Sequence, residues 1–227
     1  MAWSQNAVKH MGGWFDRAIE YPWVLRQIKR VQHGFLFLEV GASESLLCHE
    51  LLARRFVVVA LDARDYPFKS KEMLFVKRNV IDTKLPNEKF DAITLISPIE
   101  HVGLNAYEQL TVEDDGDIRA MKELHRILSS KGILILTTPY IGNNAFKIWQ
   151  NFERLYNRER LNRLIEDFKI FTEEYFYPKK IAKKLVWTRM NREEIDKQNF
   201  IGLSGLSCLV LKKAKSQIIT ASKHQLA

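Results

Sequence analysis

The chain has 227 residues, 46% of them hydrophobic and 27% charged, with a formal net charge of +8. These are the proportions of a globular chain long enough for one large α/β domain, and they exclude an intrinsically disordered segment. No apolar run approaches the roughly 20 residues that span a bilayer, and the N-terminus lacks the basic-then-apolar order of a signal peptide. Two cysteines, Cys48 and Cys208, make neither a metal spacing nor a disulfide framework. A cytoplasmic protein is the expectation.

The positive charge is interspersed with Glu and Asp, as on solvated faces, except between Lys179 and Lys184, where four of six residues are Lys. An anionic partner such as nucleic acid is therefore an alternative and not the leading expectation. Residues 1–33 read as a helical, aromatic-rich cap. Pro22 suits the first turn of a helix, after which Val24, Ile28 and Val31 share a face. Trp3, Trp14, Tyr21 and Trp23 are expected to pack.

From residue 34 the pattern alternates. Phe35–Val40 reads as a strand, followed by a tight turn at Gly41 and an amphipathic helix over Ser45–Arg55. Phe56–Leu61 is a second strand ending at Asp62, Leu74–Val76 a short third and Ala92–Ile96 a fourth. Asp117–Leu128 is an amphipathic helix with Asp115 or Asp117 as its N-cap, and Ile133–Thr137 is a buried fifth strand. Strands alternating with helices imply a parallel sheet covered on both faces. Residues 143–168 are expected to be a largely helical insertion or lid, Lys169–Tyr177 and Leu206–Leu211 strands, and 178–200 an inserted loop. The main domain then runs over 34–213, with 214–227 a flexible tail.

Open parallel sheets bind ligands at the carboxyl ends of their strands, where the strand order reverses. The first turn, Gly41-Ala-Ser-Glu-Ser45, has one glycine, whereas a dinucleotide site wants Gly-x-Gly-x-x-Gly so that backbone can approach a pyrophosphate. Glu39 and Glu44 would repel a pyrophosphate. They suit a cofactor that carries an ammonium and a sulfonium, S-adenosyl-L-methionine, better than NAD. Asp62, one crossover further on, can accept two hydrogen bonds from a ribose diol.

Several segments together carry a resemblance: Leu38-Glu-Val-Gly-Ala-Ser43, Ala60-Leu-Asp62, Arg78-Asn-Val-Ile-Asp82, Phe90-Asp91 and Lys131-Gly-Ile-Leu-Ile-Leu136. The series resembles the successive motifs of class I S-adenosylmethionine-dependent methyltransferases over roughly residues 20–213. Ser97-Pro-Ile-Glu-His-Val-Gly-Leu104, Asp115–Lys122 and Glu20-Tyr-Pro-Trp23 resemble a prokaryotic branch associated with surface-glycan and lipid-linked sugar pathways. The resemblance implies a Rossmann-like α/β fold: a seven-stranded, mostly parallel sheet, helices on both faces, the last strand antiparallel, and an N-terminal helical cap. It also implies cofactor-binding roles. Glu39, Gly41 and Ser43 would meet the methionine end, Asp62 the ribose, Asn79 and Val80 the adenine edge, and Ser97 the reaction side. Ser43 stands where the family usually has a second glycine, and Asn79 where it usually has an acid.

Methyl transfer to a hydroxyl requires a base, and His101 beside Glu100 is the candidate, since imidazole titrates near neutrality. Glu100 would orient the ring, bind acceptor hydroxyls or act as the base itself. Some O-methyltransferases place Mg2+ on Glu-x-x-Glu-His, but Ser97 occupies the first of those positions, so no metal is expected. Amino methylation of bases usually shows Asp- or Asn-Pro-Pro-Tyr after the fourth strand, where this chain has Ser97-Pro-Ile-Glu. Carbon methylation of cytosine needs a nucleophilic cysteine in a loop, and both cysteines fall in predicted elements. Tyr140 and Trp149 are the expected acceptor walls. Arg154, Arg158, Arg160 and Arg163 either hold an anionic group of the acceptor or form a solvated helix face. The expected function is O-methylation of a small-molecule or glycan hydroxyl. The alternatives are an RNA or protein methyltransferase, or a catalytically silent domain that senses the cofactor or scaffolds a partner.

Overall fold

Short strands with apolar residues on both faces are stable only between two layers of helix, and this chain supplies both layers. The computed structural model describes residues 13–29, 31–32, 34–107, 113–181, 184–200 and 202–214. Trp3, the start of the cap, part of the lysine run and the tail from residue 215 lie outside the described residues. The helix α1 spans Gly13–Ile28. It precedes β1 (Leu36–Val40), α2 (Leu47–Ala53), β2 (Val57–Asp62), β3 (Met73–Lys77), β4 (Phe90–Ile96), α3 (Gly116–Ile127) and β5 (Leu128–Tyr140). The last third adds β6 (Lys147–Trp149), β7 (Glu153–Leu155), α4 (Arg158–Leu164), β8 (Phe168–Ile181), β9 (Lys184–Met190), α5 (Arg192–Asp196) and β10 (Gly205–Lys213).

The main sheet runs β3-β2-β1-β4-β5-β10-β8-β9. The first five strands are parallel, and β10 inserts antiparallel between β5 and β8. Alternate residues of each central strand therefore face opposite layers. Phe37, Val58, Ala60 and Ala92 pack with Trp23, Val24 and Ile28 of α1 and Leu47, Cys48 and Leu51 of α2. Leu38, Val59, Leu61, Ile93 and Leu95 pack with Ile118, Met121 and Leu124 of α3 and Leu161 and Leu164 of α4.

Three local expectations give way. The main sheet has eight strands and not seven, because 178–200 is no loop: β9 pairs antiparallel with β8 over Tyr175–Ile181. As an edge strand it leaves Leu185 and Val186 exposed, so no apolar period betrays it. Residues 143–168 hold the β6–β7 hairpin and only one short helix. The hairpin turns at Gln150-Asn151, φ 49° and 53°, with Phe152 N–H donating to Trp149 C=O at 2.9 Å. Such a primed turn usually announces itself with glycine, and this one has none. Pro22, finally, lies inside α1 and not in its first turn, because the helix starts nine residues earlier at Gly13.

The loop after β4 is held by a backbone contact. Gly103 has φ +75°, and a Cβ there would stand 2.6 Å from the Glu113 carbonyl and 2.9 Å from the Gly116 Cα. Arg154 of β7, wholly buried, donates to the carbonyls of Val102 at 2.5 Å and of Glu113 and Asp114 at 3.1 Å. Gly103→Ala combines left-handed strain with a backbone clash, and should destabilise the protein by about 3 kcal/mol. Chemical denaturation of parent and variant measures this; a loss under about 1 kcal/mol would mean that the loop shifts freely.

Candidate functional site

The chain leaves β1 for β2 and β3 on one side and resumes at β4 on the other, so a crevice opens between the ends of β1 and β4. Gly41 makes the turn at φ +79°, its N–H donating to Leu61 C=O at 2.9 Å. A Cβ at Gly41 would lie 2.7 Å from the Cβ of Pro98, in the segment after β4. Both the positive φ and that close approach require glycine. The crevice deepens into a cleft of about 910 Å³, part of it open to solvent, lined by residues from α1 and from the ends of β1, β2, β3 and β4.

Of the residues expected to meet a cofactor, Glu39, Gly41, Asp62, Asn79, Val80 and Ser97 line this cleft. Glu39 is buried at the end of β1, where Cys48 Sγ–H donates to its Oε2 at 2.7 Å; burial pushes its carboxyl above the usual range. Asp62 accepts from the backbone N–H of Ser43 at 2.9 Å and of Arg64 at 2.8 Å. Oδ1 also accepts from Arg64 Nε at 3.4 Å, whereas Oδ2 keeps a second lone pair. Asn79 uses its side-chain carbonyl to accept from Ile81 N–H at 3.0 Å. Ser43 does not line the cleft. Its hydroxyl donates to the Asp65 carbonyl at 3.0 Å and its backbone N–H fixes Asp62, so it supports the site from behind.

The reaction side is built across α1, a connection no local signal announces. Glu20 is wholly buried. It accepts from the Thr137 hydroxyl at 2.6 Å, from Arg17 at 2.9 Å and from the Ser97 hydroxyl. Arg17 also donates to the Ile96 carbonyl at 2.5 Å, and Tyr21 to Ser45 Oγ at 3.0 Å, so α1 places both side chains in the cleft. Ser97 has φ 54°, a left-handed conformation rare outside glycine and found preferentially at functional sites. Across the mouth, Arg64 stacks on the Tyr107 ring at 4.1 Å and pairs with Glu44 at 2.7 Å.

His101 lines the cleft within the turn Ile99–His101, in a cluster with the rings of Tyr107 and Phe152. Its Nδ1 lies 2.7 Å from the Phe152 carbonyl, an oxygen that only accepts, which assigns the proton to Nδ1 and leaves Nε2 with a free lone pair. Burial brings its pKa down to about 4, so the ring is neutral at physiological pH. Glu100 lies behind the cleft wall, 2% exposed, and burial with Glu153 nearby pushes its carboxyl well above the usual range.

Other expected contacts are absent from the cleft. Tyr140 is wholly buried and donates to Asp196 at 2.5 Å, and Trp149 lies on the β6–β7 hairpin outside the lining. The arginines are committed elsewhere: Arg158 to Asp196 at 3.0 Å, Arg160 to Asp117 at 2.5 Å and Arg163 to Asp115 at 2.7 Å. Asp115 occupies the N-cap position of α3 without a side-chain capping bond. The sequence reading missed Arg17 and Glu20 as site residues. Their one signal was Glu20 within the Glu20-Tyr-Pro-Trp23 segment.

Among the described residues no helix is long and apolar enough to cross a membrane. The family model described as "Caenorhabditis protein of unknown function, DUF268" matches residues 66–213. No curated protein matches the chain. Among solved structures, the chain is similar to the 1,6-didemethyltoxoflavin-N1-methyltransferase of Burkholderia thailandensis, which has 1,6-didemethyltoxoflavin and S-adenosylhomocysteine bound. The TM-score is 0.61 and the identity 15%, covering 88% of this chain and 81% of that one. A SAM-dependent methyltransferase from Archaeoglobus fulgidus gives 0.61 at 14%, covering 86% and 94%. The [4+2]-cyclase SpnF gives 0.61 at 14%, covering 87% and 81%. The fold is that of the class I methyltransferases.

Neither Glu153 of β7 nor Asp16 of α1 lines the cleft, and burial raises both carboxyls to about 7. Between the ordinary carboxylate range and that value the folded protein binds more protons than the unfolded chain, so each group removes stability as pH rises through the window. His101 acts in the opposite sense from about 4 to 6.5. The contribution of Glu153 is isolated by Glu153→Gln, which should gain about 2 kcal/mol relative to the parent between pH 5 and pH 8. Denaturation at the two values measures it; a difference independent of pH would show Glu153 ionised throughout.

Proposed function

The chain belongs to the DUF268 family, and from that premise we propose that it is an S-adenosylmethionine-dependent methyltransferase acting on a hydroxyl of a small molecule or glycan. One observation carries the reading. Asp62 stands at the end of β2 in a cleft, against the single-glycine turn after β1 whose Ser43 N–H it accepts, with Glu39 lining the same cleft. That donor and acceptor set suits an adenosyl ribose and an ammonium, and no stretch of glycine backbone is present to take a pyrophosphate. The structurally similar methyltransferases named above support the reading through their fold.

Asp62 would accept from the ribose hydroxyls, prealigned by the N–H groups of Ser43 and Arg64. Val80, buried beside the cleft, offers an apolar edge to the adenine, and the Asn79 amide is available to its polar rim. Glu39 and Arg17 offer opposite charges to the two ends of the methionine part. When bound, S-adenosylmethionine would supply an electrophilic methyl group for transfer from its sulfur to the acceptor oxygen. His101 takes the hydroxyl proton on Nε2, while Nδ1 stays bonded to the Phe152 carbonyl and keeps the tautomer fixed. Ser97, held by Glu20, would border the acceptor. The glycan branch of the reading rests on the resemblance of 97–104 and 115–122.

Two variants test the assignment separately. Asp62→Ala should weaken S-adenosylhomocysteine at least tenfold by calorimetry, and an unchanged dissociation constant would refute the ribose contact. His101→Ala should lower turnover by a factor of about 10² or more while cofactor affinity is kept. Labelled methyl from S-adenosylmethionine, followed into fractionated glycans, small molecules, RNA and protein, supplies the turnover measurement and separates the hydroxyl reading from the RNA or protein alternatives.

A further inference from the structure

Three carboxyls line the cleft among the described residues, those of Glu39, Glu44 and Asp62. Glu44 and Asp62 both pair with Arg64, at 2.7 Å and 3.4 Å. Glu39 has no such partner: Arg17, whose positive charge reaches it from α1, is bonded to Glu20 and to the Ile96 carbonyl instead. What holds Glu39 is a set of neutral groups. On β1 it points to the same face as Phe37, two residues earlier, and α2 packs on that face. There the wholly buried Cys48 thiol donates to Glu39 Oε2 at 2.7 Å.

A buried cysteine ordinarily packs as a small apolar side chain. This one has an acid to serve. Burial, with the adjacent Glu39 carboxyl, pushes the thiol far up, so its proton stays on sulfur and the group can only donate. Ser45 stands on the other side. Its Oγ accepts from the Leu47 N–H and from the Tyr21 hydroxyl, each at 3.0 Å. With both lone pairs filled, its own proton turns to the Glu39 carboxyl. The Ser45 carbonyl takes the Tyr66 hydroxyl at 3.1 Å, which fixes the backbone of that donor as well. A buried carboxylate held by neutral donors, with no cation bonded to it, is complementary to a cationic ligand. One whose side chain is fixed beforehand binds that cation without first losing conformational freedom.

We propose that Cys48, which lies outside the cleft, is a positioning residue for the cofactor: its thiol holds Glu39 Oε2 and leaves Oε1 to the ammonium of S-adenosylmethionine; the inference rests on the cofactor assignment above. The position then requires a donor and not merely an apolar side chain of similar size. Without one, Glu39 Oε2 is left buried and unpaired, and the carboxyl turns away from the ligand to satisfy it.

The test is calorimetry near neutral pH with S-adenosylhomocysteine, which carries the ammonium, and 5′-methylthioadenosine, which has the adenosyl thioether without it. Cys48→Ala, checked as folded by circular dichroism, should weaken S-adenosylhomocysteine by about fivefold or more and leave methylthioadenosine within about twofold of the parent. Cys48→Ser keeps a donor and should bind both ligands as the parent does. If Cys48→Ala does not fold, Cys48→Val is read in the same way. Combined with Glu39→Gln, Cys48→Ala should cost no more than Glu39→Gln alone. Unchanged S-adenosylhomocysteine affinity in Cys48→Ala, an equal loss for both ligands, or a loss in Cys48→Ser as large as in Cys48→Ala would overturn the inference and leave the cofactor assignment standing. A parent protein that binds neither ligand overturns the cofactor assignment itself, and the positioning role with it.

Discussion

Glu20 is the residue on which the reaction side depends. A carboxyl with no exposure to solvent must have its acceptors filled from within, and Glu20 finds donors just after β4, on β5 and on its own helix. Those bonds bring α1 over the carboxyl ends of the two strands, a location its apolar face alone would not specify. Trp23, Val24 and Ile28 bury the rest of the helix against the sheet. Arg17 and Tyr21 then enter the cleft as a consequence. Without α1 the crevice would be an open edge between β1 and β4, exposed to water on that side.

The site concentrates unfavourable features in a small volume. Ser97 is left-handed, Gly41 is pressed against Pro98, and Glu100 holds a carboxyl oxygen without a donor. The surrounding structure offsets them through two well-filled apolar layers and through the buried Arg154, which ties the loop after β4 to the start of α3. Local strain set against a rigid scaffold is the usual arrangement where chemistry takes place. It also explains why the arginines of the last third are unavailable to a ligand. Arg154 and Arg160 hold Asp117 and its loop in position, and that loop closes the far side of the reaction turn.

Fold by itself says little about reaction. Structures of similar shape are described as a methyltransferase in one case and a [4+2]-cyclase in another. What distinguishes this chain is the inventory of its cleft: Glu39, Glu44 and Asp62 around a single-glycine turn, and a histidine with a fixed tautomer.

The parallel half of the sheet and its first turn were legible in the amino-acid sequence because they depend on local pattern. Phe35–Val40, Phe56–Asp62 and Ile133–Thr137 are apolar on both faces, Gly41 follows the first of them, and Glu39 and Asp62 stand at strand ends. Strand order then follows from the connections, and with it the place of the cleft. The last third was not legible, since β9 is an exposed edge and the β6–β7 hairpin is held by contacts such as that of Arg154, whose partners lie some forty to fifty residues away. Tyr140 and Trp149 read as acceptor walls from their position after β5, yet packing turned Tyr140 inward to Asp196 and left Trp149 on the hairpin. Sequence alone determined the fold class and placed Glu39, Glu44 and Asp62 at the strand ends that line the cleft. Only tertiary structure decided what walls the other side of the cleft, because Glu20 meets Ser97 and Thr137 across 77 and 117 residues of chain, a distance over which no local periodicity carries information.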